Sequence, residues 1–261
     1  MKLRYLQSMG IGIIMLSTSW ALAENDAGRD LDKILDSNKV VIAMVDRDYP
    51  PFIVQTKDGQ LAGWEVDLAK DVASELGVTL EIAKAVHFND IIEMVEAGKA
   101  DIGLSNLSVT CSRAKNIKFT NTYRELGIIL LLNRMKVAAL KLPEGMKDMR
   151  QLYNTTEAIG VIERSAYEAA ALKHFPQAKV QTYNTYKEMI AAVDQGEVLL
   201  AVGNSGTVNA FLEDNQHLNI TLQAYQVDGF SDHIAMAVGV NNDHLLAWLN
   251  AYLTVRGQLF K

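Results

Sequence analysis

Cysteine is almost absent from this sequence, which contains one, Cys111, among 261 residues. A single thiol cannot form a disulfide within the chain, so stability has to come from an ordinary hydrophobic core. No histidine lies close to Cys111 in the sequence to act as its base, and we therefore expect a thiol without a catalytic function.

Motifs for metals, phosphates and nucleic acids are lacking as well. The five histidines do not have the spacing of metal ligands, and no glycine-rich phosphate-binding loop is present. Basic residues are in deficit, because 25 lysines and arginines face 31 acids, for a net charge of −6. That balance argues against a nucleic acid as partner. We therefore expect no metal, no cofactor and no nucleic acid.

Long apolar runs are lacking except at the N-terminus. Lys2 and Arg4 precede an apolar stretch at 9–22, and Ala-Leu-Ala at 21–23 comes directly before Glu24. These three parts are typical of a cleaved signal peptide, here residues 1–23. The stretch is short for a membrane span, and a retained N-terminal anchor is the alternative. We expect an exported protein that is soluble in the periplasm.

The remaining chain alternates between strand-like and helix-like segments. Apolar residues at 66–76 fall on one helical face, and Gly77 fits the position after a helix end. Two later helices are predicted to begin with capping boxes, at Ser165 with Glu168 and at Thr185 with Glu188. This alternation predicts an α/β fold with mainly parallel sheets.

One pattern occurs twice in the chain, at 94–106 and at 191–204. Each copy reads as a helix end, a glycine stop, a buried strand and a polar residue at the carboxyl end of that strand. Ligands of open α/β sheets bind beyond such strand ends. Two copies indicate two lobes that face one cleft, or else reflect how common the helix-glycine-strand pattern is in α/β proteins.

Several motifs occur in a fixed order: Tyr-Pro-Pro-Phe at 49–52, Gly-Trp-Glu-Val-Asp at 63–67, Gly-Lys-Ala-Asp-Ile-Gly at 98–103, Ser-Asn-Leu-Ser-Val-Thr-Cys-Ser-Arg at 105–113 and Phe-Thr-Asn-Thr-Tyr at 119–123. With this order and spacing, the chain from about residue 31 onward resembles the polar amino-acid family (family 3) of bacterial extracellular solute-binding proteins of ABC transporters. The resemblance implies a two-lobed, type II periplasmic-binding-protein-like fold, with two α/β lobes joined by a two-strand hinge. It implies lobe 1 at 24–125 plus 229–261, and lobe 2 at 126–228.

Arg113 is the predicted anchor for a ligand carboxylate. A guanidinium offers a planar fork of donors that matches a carboxylate and stays charged in a closing cleft. Arg113 also lies three residues after Thr110, a good N-cap, so we expect a helix start to add free N–H groups. The resemblance implies that this arginine binds the α-carboxylate of the ligand. A surface arginine paired with an acid is the alternative.

Further contacts are implied by the resemblance. From lobe 1 they are the ring pair Tyr49 and Phe88 and the strand-end residues Ser105, Asn106 and Ser108. From lobe 2, Ser165 begins a helix whose N–H groups can face the same carboxylate. The alternatives are core packing for the rings, ordinary loop roles for the polar residues and a plain helix cap for Ser165.

Asn204 stands where the family usually has an aspartate that binds the ligand's ammonium group. An amide can accept a hydrogen bond from an ammonium, but it supplies no countercharge. Either Asp46, Glu163 or Asp232 supplies the charge, or the ligand is not a standard α-amino acid.

We therefore predict a monomeric periplasmic solute-binding protein, without catalytic activity. It captures a small carboxylate-bearing, amino-acid-like metabolite and hands it to an ABC transporter permease in the inner membrane. A cyclohexadienyl dehydratase-like enzyme is one alternative, because such enzymes share the fold and opening motifs. Their reaction needs a general acid, and residues 205–209 contain none. A ligand sensor that docks on a membrane receptor is the other alternative.

Overall fold

The computed structural model describes residues 30–141 and 149–256, so the predicted signal peptide at 1–23 lies outside the described residues. The strands are β1 Lys39–Val45, β2 Val54–Gln55, β3 Leu61–Ala62, β4 Thr79–Ala85, β5 Ile102–Gly103, β6 Ile117–Phe119, β7 Arg124–Asn133, β8 Ala158–Ile162, β9 Lys179–Tyr183, β10 Leu200–Asn204, β11 Leu222–Ile234 and β12 Ala237–Gly239. The helices are α1 Leu31–Asp36, α2 Trp64–Leu76, α3 Phe88–Glu96, α4 Arg134–Ala139, α5 Ala166–His174, α6 Tyr186–Asp194, α7 Ser205–Asp214 and α8 Asp243–Arg256. None of the helices in these ranges combines the length and the apolarity needed to cross a bilayer.

Two five-stranded sheets form the frame of the molecule, one in each lobe. The strand order is β4-β1-β5-β12-β6 in lobe 1 and β11-β7-β10-β8-β9 in lobe 2. Strand β1 is parallel to β4 and β5, and β8 is parallel to β9 and β10. The pairs that involve β6, β7, β11 or β12 are antiparallel. The sheets are therefore mixed, not mainly parallel as the alternation of elements predicts, because the strands beside the two crossings between lobes run the other way.

Strand β1 and helix α2 show how the apolar sequence pattern builds lobe 1. Every residue of β1 after Lys39 is buried, because the strand lies between two parallel neighbours in a covered sheet. Helix α2 buries one face and ends at Gly77, whose φ of 69° lies in the left-handed region, as the sequence predicts. The core cluster of lobe 1 continues into lobe 2 through residues such as Met189, so the lobes are in apolar contact.

Strands β7 and β11 join the lobes. They pair antiparallel along their length, from Arg124 opposite Ile234 to Asn133 opposite Leu222. A register shift interrupts the pairing between Gln226 and Ser231. The predicted lobe boundaries, at 125 and 228, fall inside these two strands. They remain predictions, since the crossing strands belong to both lobes.

Candidate ligand-binding site

A small cavity lies between the lobes, beside the residues that follow β1, β5, β8 and β9. It is narrow, since the centre of a water-sized sphere can reach only about 10 Å³ of it, and it is lined by Tyr49, Phe88, Asn106, Ser108, Arg113, Ser165, Ala166, Tyr167 and Tyr186. The carboxyl ends of strands are where open α/β sheets bind ligands. Six of the predicted site residues are in this lining, and Ser105, Asn204 and Asp46 are not.

Arg113 is buried in the wall of the cavity, with 8% of its surface exposed. Its Nη1 donates to the Ser108 carbonyl oxygen at 3.0 Å, and its Nη2 donates to Asn89 Oδ1 at 3.1 Å. Burial lowers the pKa of the guanidinium to about 10, with Asp232 opposing the shift, so the group is charged at neutral pH. No carboxylate of the described residues lies within 4.0 Å of it. Arg113 is therefore a buried cation with neutral partners, which favours an incoming anion.

The local structure around Arg113 differs from the prediction. Thr110 Oγ1 accepts a hydrogen bond from the Arg113 backbone N–H at 3.2 Å, as an N-cap would. The helix that follows is a 3-10 helix of three residues, Arg113–Lys115. A segment this short does not supply the row of free N–H groups that an α-helix start offers. The capacity to bind an anion at this point therefore rests on the guanidinium.

Tyr49 lies at the centre of an aromatic cluster that spans both lobes. Its ring stacks on Tyr186, with 5.1 Å between centroids and 10° between planes, and meets Phe88 edge-on at 5.3 Å. Its hydroxyl accepts hydrogen bonds from Asn106 Nδ2 at 3.0 Å and Asn204 Nδ2 at 2.8 Å. Burial raises the pKa of Tyr49 to about 12, so the hydroxyl is neutral. Tyr186 of lobe 2 therefore packs against the two rings of lobe 1 that the sequence predicts at the site, through its stack on Tyr49.

Three predicted site residues have side chains that serve the scaffold. Ser105 Oγ accepts the Val45 backbone N–H at 2.9 Å, next to the pairing of β1 with β5. Asn204 Oδ1 accepts the Thr207 backbone N–H at 3.0 Å, so this amide caps α7 and also bonds Tyr49. Asp46 Oδ1 is paired with Lys84 Nζ at 3.0 Å and accepts from Gln55 Nε2 at 3.1 Å. None of the three side chains is in the lining of the cavity.

Ser165 caps helix α5 beside the cavity. Its Oγ accepts the Glu168 backbone N–H at 3.3 Å and donates to the Ile162 carbonyl oxygen at 2.6 Å. The predicted capping box is displaced by one residue, because Glu168 Oε2 accepts the backbone N–H of Arg164. Arg164, the residue before the cap, has a left-handed φ of 53°. The first turn of α5 nevertheless faces the cavity, since Ser165, Ala166 and Tyr167 all line it.

Asp232 lies directly behind the cavity wall, on β11. Its Oδ2 accepts hydrogen bonds from Ser108 Oγ at 2.9 Å and from the hydroxyl of Tyr167. Burial raises the pKa of Asp232, while these two hydroxyls and the charge of Arg113 oppose the shift. Ser108 belongs to lobe 1 and Tyr167 to lobe 2, so one carboxylate connects polar groups from both sides of the cleft.

The backbone beside the cavity is held by a second buried carboxylate, Glu65. Its Oε2 accepts from the Asn106 backbone N–H and from the Tyr123 hydroxyl, both at 2.8 Å, and Arg124 Nη1 lies 3.9 Å from its Oε1. Asn106 has a left-handed φ of 52°, which asparagine tolerates better than most residues. Glu65 therefore fixes the turn that carries Asn106 into the cavity wall.

Charged residues close the rim of the cleft. Arg164 of lobe 2 is paired with Asp90 at 2.7 Å and with Glu93 at 2.6 Å, both on α3 of lobe 1. We refer to these three side chains as the interlobe clasp. Arg47 of lobe 1 adds a hydrogen bond to the Asn184 carbonyl oxygen of lobe 2. The clasp exists only when the lobes are close together.

Sequence reasoning missed Tyr167 and Tyr186 and left Asp232 as one of three candidate acids. Both tyrosines lie at the start of a helix with a recognisable cap, Ser165 or Thr185. The two caps predict only that each tyrosine lies in the first turn of a helix that follows a strand of lobe 2. Nothing in the sequence pattern brings them against Tyr49 or Ser108 of lobe 1.

Comparisons with known proteins identify the family. The family model described as bacterial extracellular solute-binding proteins, family 3, matches residues 41–255. The chain is 23% identical over 203 residues to the ABC transporter arginine-binding protein 1 of Escherichia coli (strain K12), which covers 77% of this chain and 79% of that protein. It is 21% identical over 221 residues to the L-cystine-binding protein TcyJ of the same strain, covering 84% and 78%.

Solved structures include a similar ancestral amino acid-binding protein, described as a precursor of cyclohexadienyl dehydratase. The TM-score is 0.73 at 25% sequence identity, over 87% of this chain and 93% of that one. The two-lobed type II fold that the sequence motifs imply is thereby confirmed.

Proposed function

The chain belongs to family 3 of the bacterial extracellular solute-binding proteins, and from that premise we propose that it captures one small amino acid in the interlobe cleft for delivery to an ABC transporter. Arg113 carries the proposal. It is a charged guanidinium, 8% exposed, in the wall of the interlobe cavity and without a carboxylate within 4.0 Å among the described residues. A ligand carboxylate would supply the missing charge and accept hydrogen bonds from the guanidinium.

Binding proceeds by closure in this proposal. The open protein first holds the carboxylate through Arg113 and the rings of lobe 1. Lobe 2 then swings over and adds the start of α5, where Ser165 and Ala166 line the cavity. Closure is favoured only to the extent that the ligand makes additional contacts in the closed state.

From the family we also propose the compartment, the oligomeric state and the partner of the protein. The protein acts in the periplasm after cleavage of residues 1–23, works as a monomer and docks on a permease in the inner membrane. The relatives named for arginine and cystine bind those amino acids, and this chain need not share either ligand.

We also propose that the protein catalyses no reaction in the cleft. An enzyme that expels water from a carboxylated ring needs an acid aimed at the leaving group. Asp232, whose carboxyl contacts the cavity wall, is instead bonded to Ser108 and Tyr167. Because one similar structure is a precursor of cyclohexadienyl dehydratase, turnover of prephenate or arogenate by the purified protein would contradict this part of the proposal.

A thermal-shift screen of the mature protein tests the proposed function. The panel contains the twenty standard amino acids, their deaminated analogues and small dicarboxylates. At about 100 times its Kd, a ligand that binds only the folded state stabilises it by about 2.7 kcal/mol. For a chain of this size, that corresponds to a shift in Tm of roughly 5–10 °C. No shift across the whole panel would contradict the proposal.

The interlobe clasp should contribute to affinity in a salt-dependent manner. Exposed ion pairs are worth about 0.2–1 kcal/mol each, so losing both in Arg164→Ala should raise the ligand's Kd by roughly 2- to 30-fold. Raising NaCl from 0.05 to 0.5 M should lower the affinity of the unmodified protein for the ligand. The same increase in salt should change the affinity of the variant less. Isothermal titration calorimetry at several salt concentrations measures both effects.

Lys39→Ala is the matched control for the clasp. It removes an exposed ion pair with Glu81, at 2.8 Å, that lies entirely within lobe 1. The ligand's Kd and its salt dependence should be unchanged in this variant. An identical salt dependence in Arg164→Ala and the unmodified protein would show that the clasp does not assist closure.

A further inference from the structure

We infer that lobe 2 has a second binding site, for one small uncharged aromatic molecule, and that its occupation favours closure of the cleft. The site is a pocket between α5 and the lobe 2 sheet, walled in part by the rings of Tyr153, Tyr167, Phe175 and Phe230. We call it the lobe 2 pocket. Its capacity to bind a ring is independent of the proposed function, whereas its effect on the cleft rests on that function.

The lobe 2 pocket is roomier than the cleft cavity. The centre of a water-sized sphere can reach about 100 Å³ of it, against about 10 Å³ in the cleft cavity. It opens to solvent beside Phe230, which is 57% exposed. A protein cavity of roughly 150 Å³ lined by Leu, Ile and Phe stays dry and holds one benzene molecule. A guest of one six-membered ring therefore fits, with one edge towards the opening.

The chemistry of the wall selects an uncharged guest. Among the described residues that line the pocket there is no Asp, Glu, Lys or Arg, and the wall is almost entirely apolar. The Tyr167 hydroxyl is already bonded to Asp232. An ion that entered would lose its hydration without gaining a countercharge or hydrogen bonds, which is costly. Water would find few partners there, so an apolar guest displaces it readily.

The rings in the wall favour an aromatic guest over an aliphatic one. Tyr153 meets Phe175 edge-on, with 5.3 Å between centroids and 86° between planes. Tyr167 and Phe230 add two more rings to the lining. Aromatic rings prefer edge-to-face or offset contacts with one another, and these contacts add to the gain from burial alone. A single aromatic ring can make several such contacts here.

Tyr167 belongs to the walls of both the lobe 2 pocket and the cleft cavity. It is buried, and its hydroxyl donates to Asp232, which also accepts from Ser108 of lobe 1. A guest that packs against Tyr167 therefore supports the side chain in the orientation that it has when the lobes are together.

The pocket also contacts both strands that join the lobes. Ile128 is on β7, and Val227 and Phe230 lie on β11 where its pairing shifts register, between Gln226 and Ser231. Rotation of the lobes about these strands changes the shape of the pocket. A guest that fits the pocket of the closed form shifts the equilibrium towards that form. The guest and the cleft ligand then raise each other's affinity by the same factor.

Fluorine NMR of fluorobenzene with the mature protein tests the pocket. The line should broaden in a saturable manner, and toluene should reverse the broadening by competition. Benzyltrimethylammonium, which has the same ring and a fixed charge, should not compete. Ala170→Phe places a ring in the pocket and should abolish the broadening. Ala169→Phe is the matched control, because its neighbouring site on α5 is exposed and outside the lining.

Phe230→Ala provides the test if Ala170→Phe does not fold. The Phe230 side chain is mostly exposed, so its removal leaves the core intact. Loss of one ring contact should raise the Kd of fluorobenzene by roughly 2- to 12-fold. Unsaturable broadening, or equal broadening in Ala170→Phe and Ala169→Phe, would overturn the site. A sedimentation coefficient that rises with protein concentration in Ala169→Phe but not in Ala170→Phe would show a side chain of a second copy in the pocket, and would overturn the assignment to a free small molecule.

Titration calorimetry tests the effect on the cleft, with the amino acid that gives the largest thermal shift. Near-saturating fluorobenzene should lower the Kd of that amino acid by about 5-fold or more. Tyr167→Phe keeps the ring but loses the bond to Asp232, so fluorobenzene should still bind while the factor falls towards one. Fluorobenzene that binds without changing the Kd in the unmodified protein would overturn the coupling. If no amino acid binds the cleft, the proposed function and the coupling fail together, and the fluorine signal still decides the pocket.

Discussion

Replacing Arg113 by alanine should abolish ligand binding at ordinary concentrations while the protein stays folded. Removing one partner of a buried, hydrogen-bonded charge pair costs about 2–5 kcal/mol of binding free energy. That corresponds to roughly a 30- to 5,000-fold rise in Kd. Arg113→Lys keeps the charge but loses the planar fork, so its Kd should lie between those of the alanine variant and the unmodified protein. Titration calorimetry with the ligand found by thermal shift measures all three.

The fold should survive Arg113→Ala because the arginine has no ion pair among the described residues. The variant loses hydrogen bonds to the Ser108 carbonyl and to Asn89, but it also loses the cost of a buried charge. Arg134→Ala is a matched control, since Arg134 also donates to a backbone carbonyl, that of Leu222, and to an amide oxygen, that of Gln223. Arg134 lies outside the cavity lining, and its variant should bind the ligand normally. Retained affinity in Arg113→Ala would contradict the assignment of this residue.

Gly206→Ala should keep the lobes from closing fully. A Cβ at this position would lie 2.6 Å from Cζ of Phe52, a lobe 1 side chain that is 1% exposed. The ring cannot move freely, because the Arg124 guanidinium lies 4.8 Å from its centroid on one side and Tyr49 packs against it at 5.2 Å. Overpacking of this kind costs about 1–3 kcal/mol, so the ligand's Kd should rise by about 5- to 150-fold. Small-angle scattering with saturating ligand should give a larger radius of gyration than the unmodified protein.

Two further measurements distinguish blocked closure from simple unfolding. Alanine is a better helix former than glycine by roughly 0.5–1 kcal/mol, so the variant's α7 should be no less stable. The ligand-free variant should therefore melt at or above the Tm of the unmodified protein. Adding Phe52→Leu to Gly206→Ala should recover part of the lost affinity, because the clash is between those two residues. Normal affinity in Gly206→Ala alone would show that the Phe52 ring can move aside without loss of binding free energy.

The fold could be predicted from local signals because those signals fix each element independently. Gly98 and Gly196, the glycine stops of the repeated pattern, both have left-handed φ values, 67° and 73°. Each stands between a helix and a buried strand, as the sequence predicts. The prediction of mainly parallel sheets was wrong, because the direction of strand pairing depends on how the chain returns from the other lobe. That information is not present in any single segment.

The lining of the cavity was predicted in part, and the differences have two causes. Arg113, Tyr49, Phe88 and Ser108 line the cavity, and their contact with a ligand stays a prediction. Ser105 could not be separated from them by residue type, because a serine hydroxyl at a strand end serves equally well as a backbone partner, here for Val45. Partners that meet across the cleft, such as Tyr49 with Tyr186, depend on the arrangement of the lobes.

The stack of Tyr49 on Tyr186 has a consequence for the rate of binding. With the rings 5.1 Å apart and Asn204 bonded to the Tyr49 hydroxyl, the two lobes are in direct contact across the cleft beside Arg113. A ligand molecule that meets this form must wait until the lobes separate. If the closed form dominates without ligand, the observed association rate should level off at the opening rate as ligand concentration rises. Stopped-flow recording of tyrosine fluorescence would reveal that plateau, and a rate that stays linear in ligand concentration would mean that the unliganded protein is mainly open.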